Sequence, residues 1–256
     1  MIKKILITAP VHQNAKVFKE YLWSLNRLEI PEEYEIHKYF YLHNANNLKK
    51  FLQPNEYEIF NNNAEVEENN ITHIWKQENF NAVAQMRTKA LEYARNNNFD
   101  YIFSIDSDII LHKKSLIDLL NEQKDAISKI YWTAWSSNQP LNLMPNCYDG
   151  RNKKGQIVYY NSIDIYKVIG TYPVGVTGAA ILLSSKIFNN PLINYYPIQM
   201  LSQSYWEDYA FCTRCKCIIP DIQFYINTIH PAKHLYRQED VQNWFNGEKE
   251  KWKKES

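Results

Sequence analysis

Two aspartates, Asp106 and Asp108, stand one residue apart at the end of the apolar run in FDYIFSIDSDIILHKKSL, residues 99 to 116. In a strand, residues two apart share a face, so the pair would project together, roughly 6 to 7 Å apart, while Ser107 turns away. Two such like charges repel unless something positive stands between them. The pair reads either as a solvated strand end or as a seat for a hard divalent cation, Mg²⁺ or Mn²⁺. Such a cation takes one or two carboxylates from the protein and its other oxygens from a phosphate-bearing ligand. Position favours the second, because ligands of open α/β sheets bind beyond the carboxyl ends of the strands.

An absence sharpens this. All six glycines (Gly150, Gly155, Gly170, Gly175, Gly178 and Gly247) fall after residue 149. The amino-terminal half therefore has neither a G-x-G-x-x-G nor a P-loop pattern with which to wrap a phosphate, which argues against a Rossmann dehydrogenase and a P-loop kinase. A diphosphate bound here would need a metal and cationic side chains instead.

The elements that must position these groups follow from periodicity. ILITAPV is a strand, and NAKVFKEYLWSLNRL a helix with Val17, Tyr21, Leu22, Leu25 and Leu28 at helical spacing. YEIHKYFYL reads as a second strand, and residues 43 to 79 as irregular with one short helix near Leu48 to Leu52. FNAVAQMRTKALEYARNNN puts Val83, Met86, Ala90, Leu91 and Ala94 on one face, with Arg87 elsewhere. DYIFSID, KKSLIDLLNEQ and DAISKIYW then give strand, helix and strand. This alternation predicts an α/β domain with a mostly parallel sheet. Beyond Thr133, the runs QIVYY and DIYKV suggest a hairpin or loops beside the sheet, VGVTGAAILLSSKIF a glycine-flanked strand, SYWEDYAFCTRCK a loop into a helix, and QFYINT a last strand.

Whole-chain properties set the class. With 256 residues and 45% hydrophobic content the chain can bury a sizeable core. A formal net charge of +1 indicates no bulk attraction to nucleic acid. No apolar run reaches the ~18 residues of a membrane span, and MIKKILITAPVHQ is short for a signal peptide. Four cysteines, three of them within six residues, argue for reduced thiols and a cytoplasmic location. We expect one domain over 1–256, with a nucleotide-sugar half at 1–133, an acceptor and catalytic half at 134–240 and a basic tail at 241–256.

The ordered set ILITAPV, QMRTKALEYARNNNFDYIFSIDSDIIL, SKIYW, VTGAAILLSSKIF, WEDYAFCTRC and INTIHPAKHLY resembles a glycosyltransferase of the GT-A fold, close in pattern to inverting family-2-type enzymes. The resemblance implies a Rossmann-like central sheet flanked by helices with a smaller acceptor-side β/loop region. It also implies a hexosyltransferase-type reaction from a UDP- or GDP-sugar to a hydroxyl, with inversion, on Mn²⁺ or Mg²⁺. By position, Asp106, Ser107 and Asp108 would meet the ribose and the metal. Arg87 would be the basic position near the nucleotide; its alternative is a surface charge. Ala9, Pro10 and His12 match the loop that lies along the nucleobase. Gly178 and Ala179 match the small-residue segment that approaches the sugar or acceptor, although a tight packing spot would also use glycine. Asp208 matches the general base, with Glu207 beside it as support or alternative; a helix-dipole role is the plainer reading of the pair. His234 matches the histidine that completes the metal shell with Asp106 and Asp108. CKCIIPD stands where relatives carry a glycine turn, which leaves His230 as the other candidate.

Rival readings remain. Cys212, Cys215 and Cys217 with a histidine could form a Cys₃His zinc site, but on a helix Cys217 lies about 140° around from Cys212. A sugar-nucleotide nucleotidyltransferase would be expected to show a glycine-rich loop after the first strand, and a noncatalytic nucleotide- or glycan-binding module would not need all of Asp106, Asp108 and Asp208. The acceptor, a glycan, a lipid-linked group or a protein, is not specified. Aromatics in IYWTAWSSNQP, VYYNS and YYPIQ could face it, or be ordinary core. The tail VQNWFNGEKEKWKKES is read as a solvated terminal helix, with peripheral contact to an anionic membrane as the alternative.

Overall fold

The apolar run at the amino terminus becomes β1 (Lys3–Val11), buried continuously from Ile5 to Ala9. Asn14 then caps α1 (Ala15–Leu25), its side chain accepting from the backbone N–H groups of Lys16 and Val17. Next come β2 (Tyr34–His43), β3 (Tyr57–Phe60), α2 (Gln77–Asn96) and β4 (Tyr101–Ser104). The structure is a computed structural model that describes residues 2–61, 77–134, 143–152, 154, 156–197 and 207–255. The middle of the Asn-rich region, the run beyond Ala134 in IYWTAWSSNQP, the end of YYPIQ, Gly155 and Trp206 lie outside the described residues.

A two-residue strand, β5 (Ile109–Ile110), and α3 (Ser115–Asn121) lead to β6 (Ala126–Lys129). The second half supplies β7 (Thr171–Val174), β8 (Ile181–Ser184), α4 (Ser185–Phe188), α5 (Glu207–Ile218), β9 (Phe224–Asn227) and β10 (Lys233–His234). Among the described residues eight strands form one sheet in the order β7-β9-β6-β8-β4-β1-β2-β3. Strands β4, β1, β2 and β3 run parallel, as does β9 beside β6, while β8 is antiparallel to both β4 and β6. The sheet is therefore mostly parallel with an inverted strand inside it, an α/β architecture consistent with a GT-A-like fold. It also joins the two expected halves, since β6 pairs with β8 and β9.

Alternation along the strands places helices on both faces. Ile5 and Ile7 of β1 pack in a cluster with Phe18 and Tyr21 of α1 and Leu116 and Leu119 of α3. Leu6 points the other way, into a cluster with Ala84 and Leu91 of α2 and Phe211 of α5. Small separate sheets pair Cys147–Tyr148 with Val176–Thr177 and Gly150–Arg151 with Ile157–Val158. Apart from Val176–Thr177, which falls in the run VGVTGAAILLSSKIF, these short strands lie in the region read as a hairpin or loops beside the sheet.

The tail departs from the expectation of a solvated helix. After α6 (Gln238–Asn243), Trp244 is fully buried and its indole N–H donates to Glu20 Oε2 at 3.0 Å. Lys249, the first residue of α7 (Lys249–Glu255), meets the same carboxylate at 2.7 Å, and Trp252 packs edge-on to Trp244. Burying an indole and pairing a buried carboxylate anchor the segment to α1. Two aromatics that a membrane contact would have used thus face the protein. Among the described residues no helix is long and apolar enough to cross a membrane.

Candidate active site

Strand β4 stops at Ser104, and the Ile109 N–H donates to the Asp106 carbonyl at 3.0 Å. Asp106 and Asp108 thus sit in a turn at the carboxyl end of β4 and not on the strand itself, which corrects the same-face geometry expected of them. They part company there. Asp106 turns to Arg87, whose Nη2 lies 2.7 Å from its Oδ1. Asp108, 5% exposed, faces His234 with 3.5 Å between Oδ2 and Nε2.

Arg87 is the hub of the site. It comes from α2, is 4% exposed, and holds Asp106, Asp208 through a short hydrogen bond from Nη1, and Glu207 at 3.3 Å. The buried Tyr195 ring lies 5.5 Å from its guanidinium carbon. A surface charge is therefore ruled out for Arg87. The sequence carried a signal for this: Arg87 is four residues from both Val83 and Leu91 of the buried face.

Glu207 and Asp208 open α5, where acidic residues suit the helix dipole, yet their contacts go beyond that. Burial pushes both carboxyls upward; repulsion from Asp208 adds to the rise at Glu207, and Arg87 pulls each back. The Glu207 side chain is 7% exposed and its Oε2 has no hydrogen-bond partner, whereas the Asp208 side chain is 27% exposed and bonded to Arg87. The two environments push the carboxyls apart, with Glu207, the more deeply buried, raised further than Asp208.

Gly178 has a definite reason to be glycine. A Cβ there would overlap the Asp208 carboxylate. The small-residue segment, expected to admit sugar or acceptor, admits the aspartate. Ser128, fully buried, donates from Oγ to the Gly178 and Ala179 carbonyls at 3.0 and 2.9 Å, fixing that backbone. Ala179 is itself 2% exposed. Gly178→Ala is expected to displace Asp208 from Arg87 and to lower unfolding stability by about 1–3 kcal/mol. Urea titration measures this; an unchanged midpoint would mean that the carboxylate has another seat.

Backbone pairing places the two histidines differently. His234 lies opposite Ile109 in the β5/β10 pair, and the Leu235 N–H donates to the Asp108 carbonyl at 2.9 Å, so the register carries His234 to Asp108. Thr133 Oγ1, 3.1 Å from Nδ1, fixes the ring and leaves Nε2 toward the carboxylate. His230 instead donates from Nδ1 to Asp118 Oδ2 at 3.0 Å, a carboxylate shared with the buried Lys129. Among the described residues no group of three or more His, Cys, Asp or Glu gathers around one point to hold a metal ion. Asp108 and His234 come together, and Asp106 is engaged by Arg87.

The zinc alternative is disfavoured by geometry. All three cysteines lie on α5, with Cys212 and Cys215 buried and Cys217 exposed. None of the four cysteines is in a disulfide.

Ala9 and Pro10 belong to β1, paired with Phe40 and Tyr41, and are not in a loop after it. The pairing of β1 with β4 ends at Thr8, so the missing N–H of Pro10 interrupts no ladder on that side. Ala9 is fully buried, while His12 lies just beyond the strand with its Nδ1 2.8 Å from the His43 carbonyl. Ser107 is 6% exposed in the turn. Tyr195, Ser128 and Thr133, which shape the site, carry no motif by which sequence alone would single them out.

Residues 8–235 match glycosyltransferase family 25, N-terminal domain. No curated protein matches the chain. The solved structure of A197 from STIV is similar over 90% of this chain and 83% of that one, with 12% identity and a TM-score of 0.44, too distant a likeness to bear on the site. The match bears out the resemblance to glycosyltransferases and gives the family as 25. Spanning the carboxylate turn, Arg87, Gly178, Asp208 and His234, it shows that this chain belongs to glycosyltransferase family 25, N-terminal domain.

Proposed function

We propose that the protein transfers a hexosyl unit from a UDP- or GDP-sugar to an acceptor hydroxyl with inversion, and that Asp208 is the general base. The observation that carries this is the division of labour on Arg87: Asp208, the more accessible carboxyl with 27% of its side chain exposed, stands beside Glu207, which is buried and pushed further up by that burial. Exposure selects Asp208, since a base must reach the hydroxyl whose proton it takes. Burial keeps that carboxylate more basic than a solvated aspartate, and Arg87 keeps it aimed. Removing the hydroxyl proton as the acceptor attacks is a contribution of about 10² to 10⁴ in rate.

The donor set suits Mn²⁺ or Mg²⁺. Asp108 Oδ2 and His234 Nε2 face each other across 3.5 Å, and a hard cation that takes one or two carboxylates completes its shell from phosphate and water. Asp108 and His234 would hold it, with Asp106 contributing from the same turn and toward the ribose. When bound, the cation supplies Lewis-acid stabilisation of the departing diphosphate. Pro10, His12 and Ser107, at the carboxyl ends of β1 and β4, would border the nucleotide, with Ala9 buried beneath them.

Calorimetry with UDP in the presence of Mn²⁺ is the test. Affinity should fall at least about tenfold on adding EDTA or in Asp108→Ala, as loss of a metal ligand requires. Binding indifferent to both would sink the metal assignment, and the absence of any nucleotide binding in the parent would sink the donor.

A further inference from the structure

A cavity of about 350 Å³ opens beside His234, lined by Trp132, Lys167, Ala232, Lys233 and His234. Its chemistry is one-sided: two ammonium groups and an indole, with no carboxylate among the described lining residues. Lys167 Nζ stands 5.9 Å from the centre of the Trp132 ring. The volume is at the low end for ligand sites, enough for one sugar residue and too little for a chain.

Both lysines already have acidic partners outside the lining. Lys167 meets Asp164 at 2.6 Å with both side chains more than 60% exposed, and Lys233 meets Glu248 at 2.9 Å. The first is an exposed pair, weak and readily exchanged for a better anion, while in the second the Lys233 side chain is 20% exposed and that of Glu248 41%. An anion in the cavity that reached either ammonium group would gain charge-assisted hydrogen bonds. The Trp132 ring offers the flat apolar surface on which the C–H face of a pyranose rests. A neutral sugar would use the ring and leave both lysines idle.

We infer that this cavity is an acceptor subsite for a single pyranose bearing a negative charge, a phosphate or a carboxylate. The inference rests on the glycosyl-transfer reading, because the cavity shares His234 with the candidate active site. It specifies what that reading leaves open, the chemical class of the acceptor.

The test titrates the full chain with glucose 6-phosphate, glucuronate and glucose, and separately with UDP and Mn²⁺, by ligand-observed NMR. At least one anionic sugar should bind about tenfold or more tighter than glucose, and Lys167→Ala or Lys233→Ala should remove about tenfold of that affinity while UDP is unmoved. Glu248→Gln, which frees Lys233 from its competing carboxylate, should tighten the anionic sugar, a gain that misfolding cannot mimic. Preference for one anionic sugar over the other identifies phosphate or carboxylate as the group held. Equal binding of glucose, or no binding of any of the three sugars, would overturn the inference. So would lysine variants that weaken UDP as much as the sugar, which would make the cavity the seat of the donor's diphosphate. Lysine-dependent binding of an anionic sugar by a parent that binds no nucleotide would instead overturn glycosyl transfer and leave the cavity as an anionic-sugar site.

Discussion

Replacing Asp208 by Asn is expected to lower sugar transfer by ~10² or more while UDP affinity stays within about threefold. The amide keeps the shape of the carboxylate and can still accept from Arg87 Nη1 through its oxygen, so the hub is not dismantled. What it loses is the capacity to take a proton from the acceptor hydroxyl. Glu207→Gln is the control, because an amide has the shape of the neutral acid that burial favours at Glu207, and transfer should change little. The parent should gain activity as pH rises through the elevated value that burial gives Asp208, since a base works only when ionised, and the Asn variant should lack that limb. Product configuration read by NMR completes the test: a retained anomeric centre would reject a single displacement. Full transfer in Asp208→Asn, with a collapse in Glu207→Gln, would move the base to Glu207.

The strands, helices and chemical motifs were legible to different depths for physical reasons. Alternating apolar runs such as ILITAPV and DYIFSID are buried on both faces, and that burial writes itself into composition as an unbroken apolar string. The inversion of β8 leaves no such trace, because a central strand is equally apolar whichever way it runs. Asp106, Asp108 and Asp208 stood out as charges placed where a strand ends or a helix begins. Their relation to one another did not, since it depends on Arg87, whose charge set it apart from the apolar face of α2 although its spacing from Val83 and Leu91 seats it there. Gly178 reads as backbone freedom until the Asp208 carboxylate is seen against it. The tail misled through composition: its lysines are abundant, but Trp244 and Glu20 lie 224 residues apart and meet only through the fold.

Arg87→Met is expected to cost about 3–5 kcal/mol of stability, the usual consequence of removing one partner from a buried charge cluster. Among the described residues the guanidinium is the cation that meets Asp106, Glu207 and Asp208 together, and methionine fills part of its volume without its charge or its donors. The carboxyls left behind must hold protons to remain buried. The native variant would then bind protons that the unfolded chain releases above the ordinary carboxylate range, and stability must fall as pH rises through the elevated window. The parent shows the same slope in weaker form, because burial already raises Glu207 and Asp208 and Arg87 offsets only part of the rise. Unfolding by urea at about pH 5 and about pH 8 should therefore show a deficit that is smaller at the acid end, where the carboxyls are neutral in both states. Arg87→Lys should fall between parent and Met, since one ammonium supplies the charge but cannot span three carboxylates in a fixed fork. A loss below ~1 kcal/mol, or one with no dependence on pH, would mean that water and not Arg87 stabilises these carboxylates, and would remove the basis for assigning the proton to Glu207 and the base to Asp208.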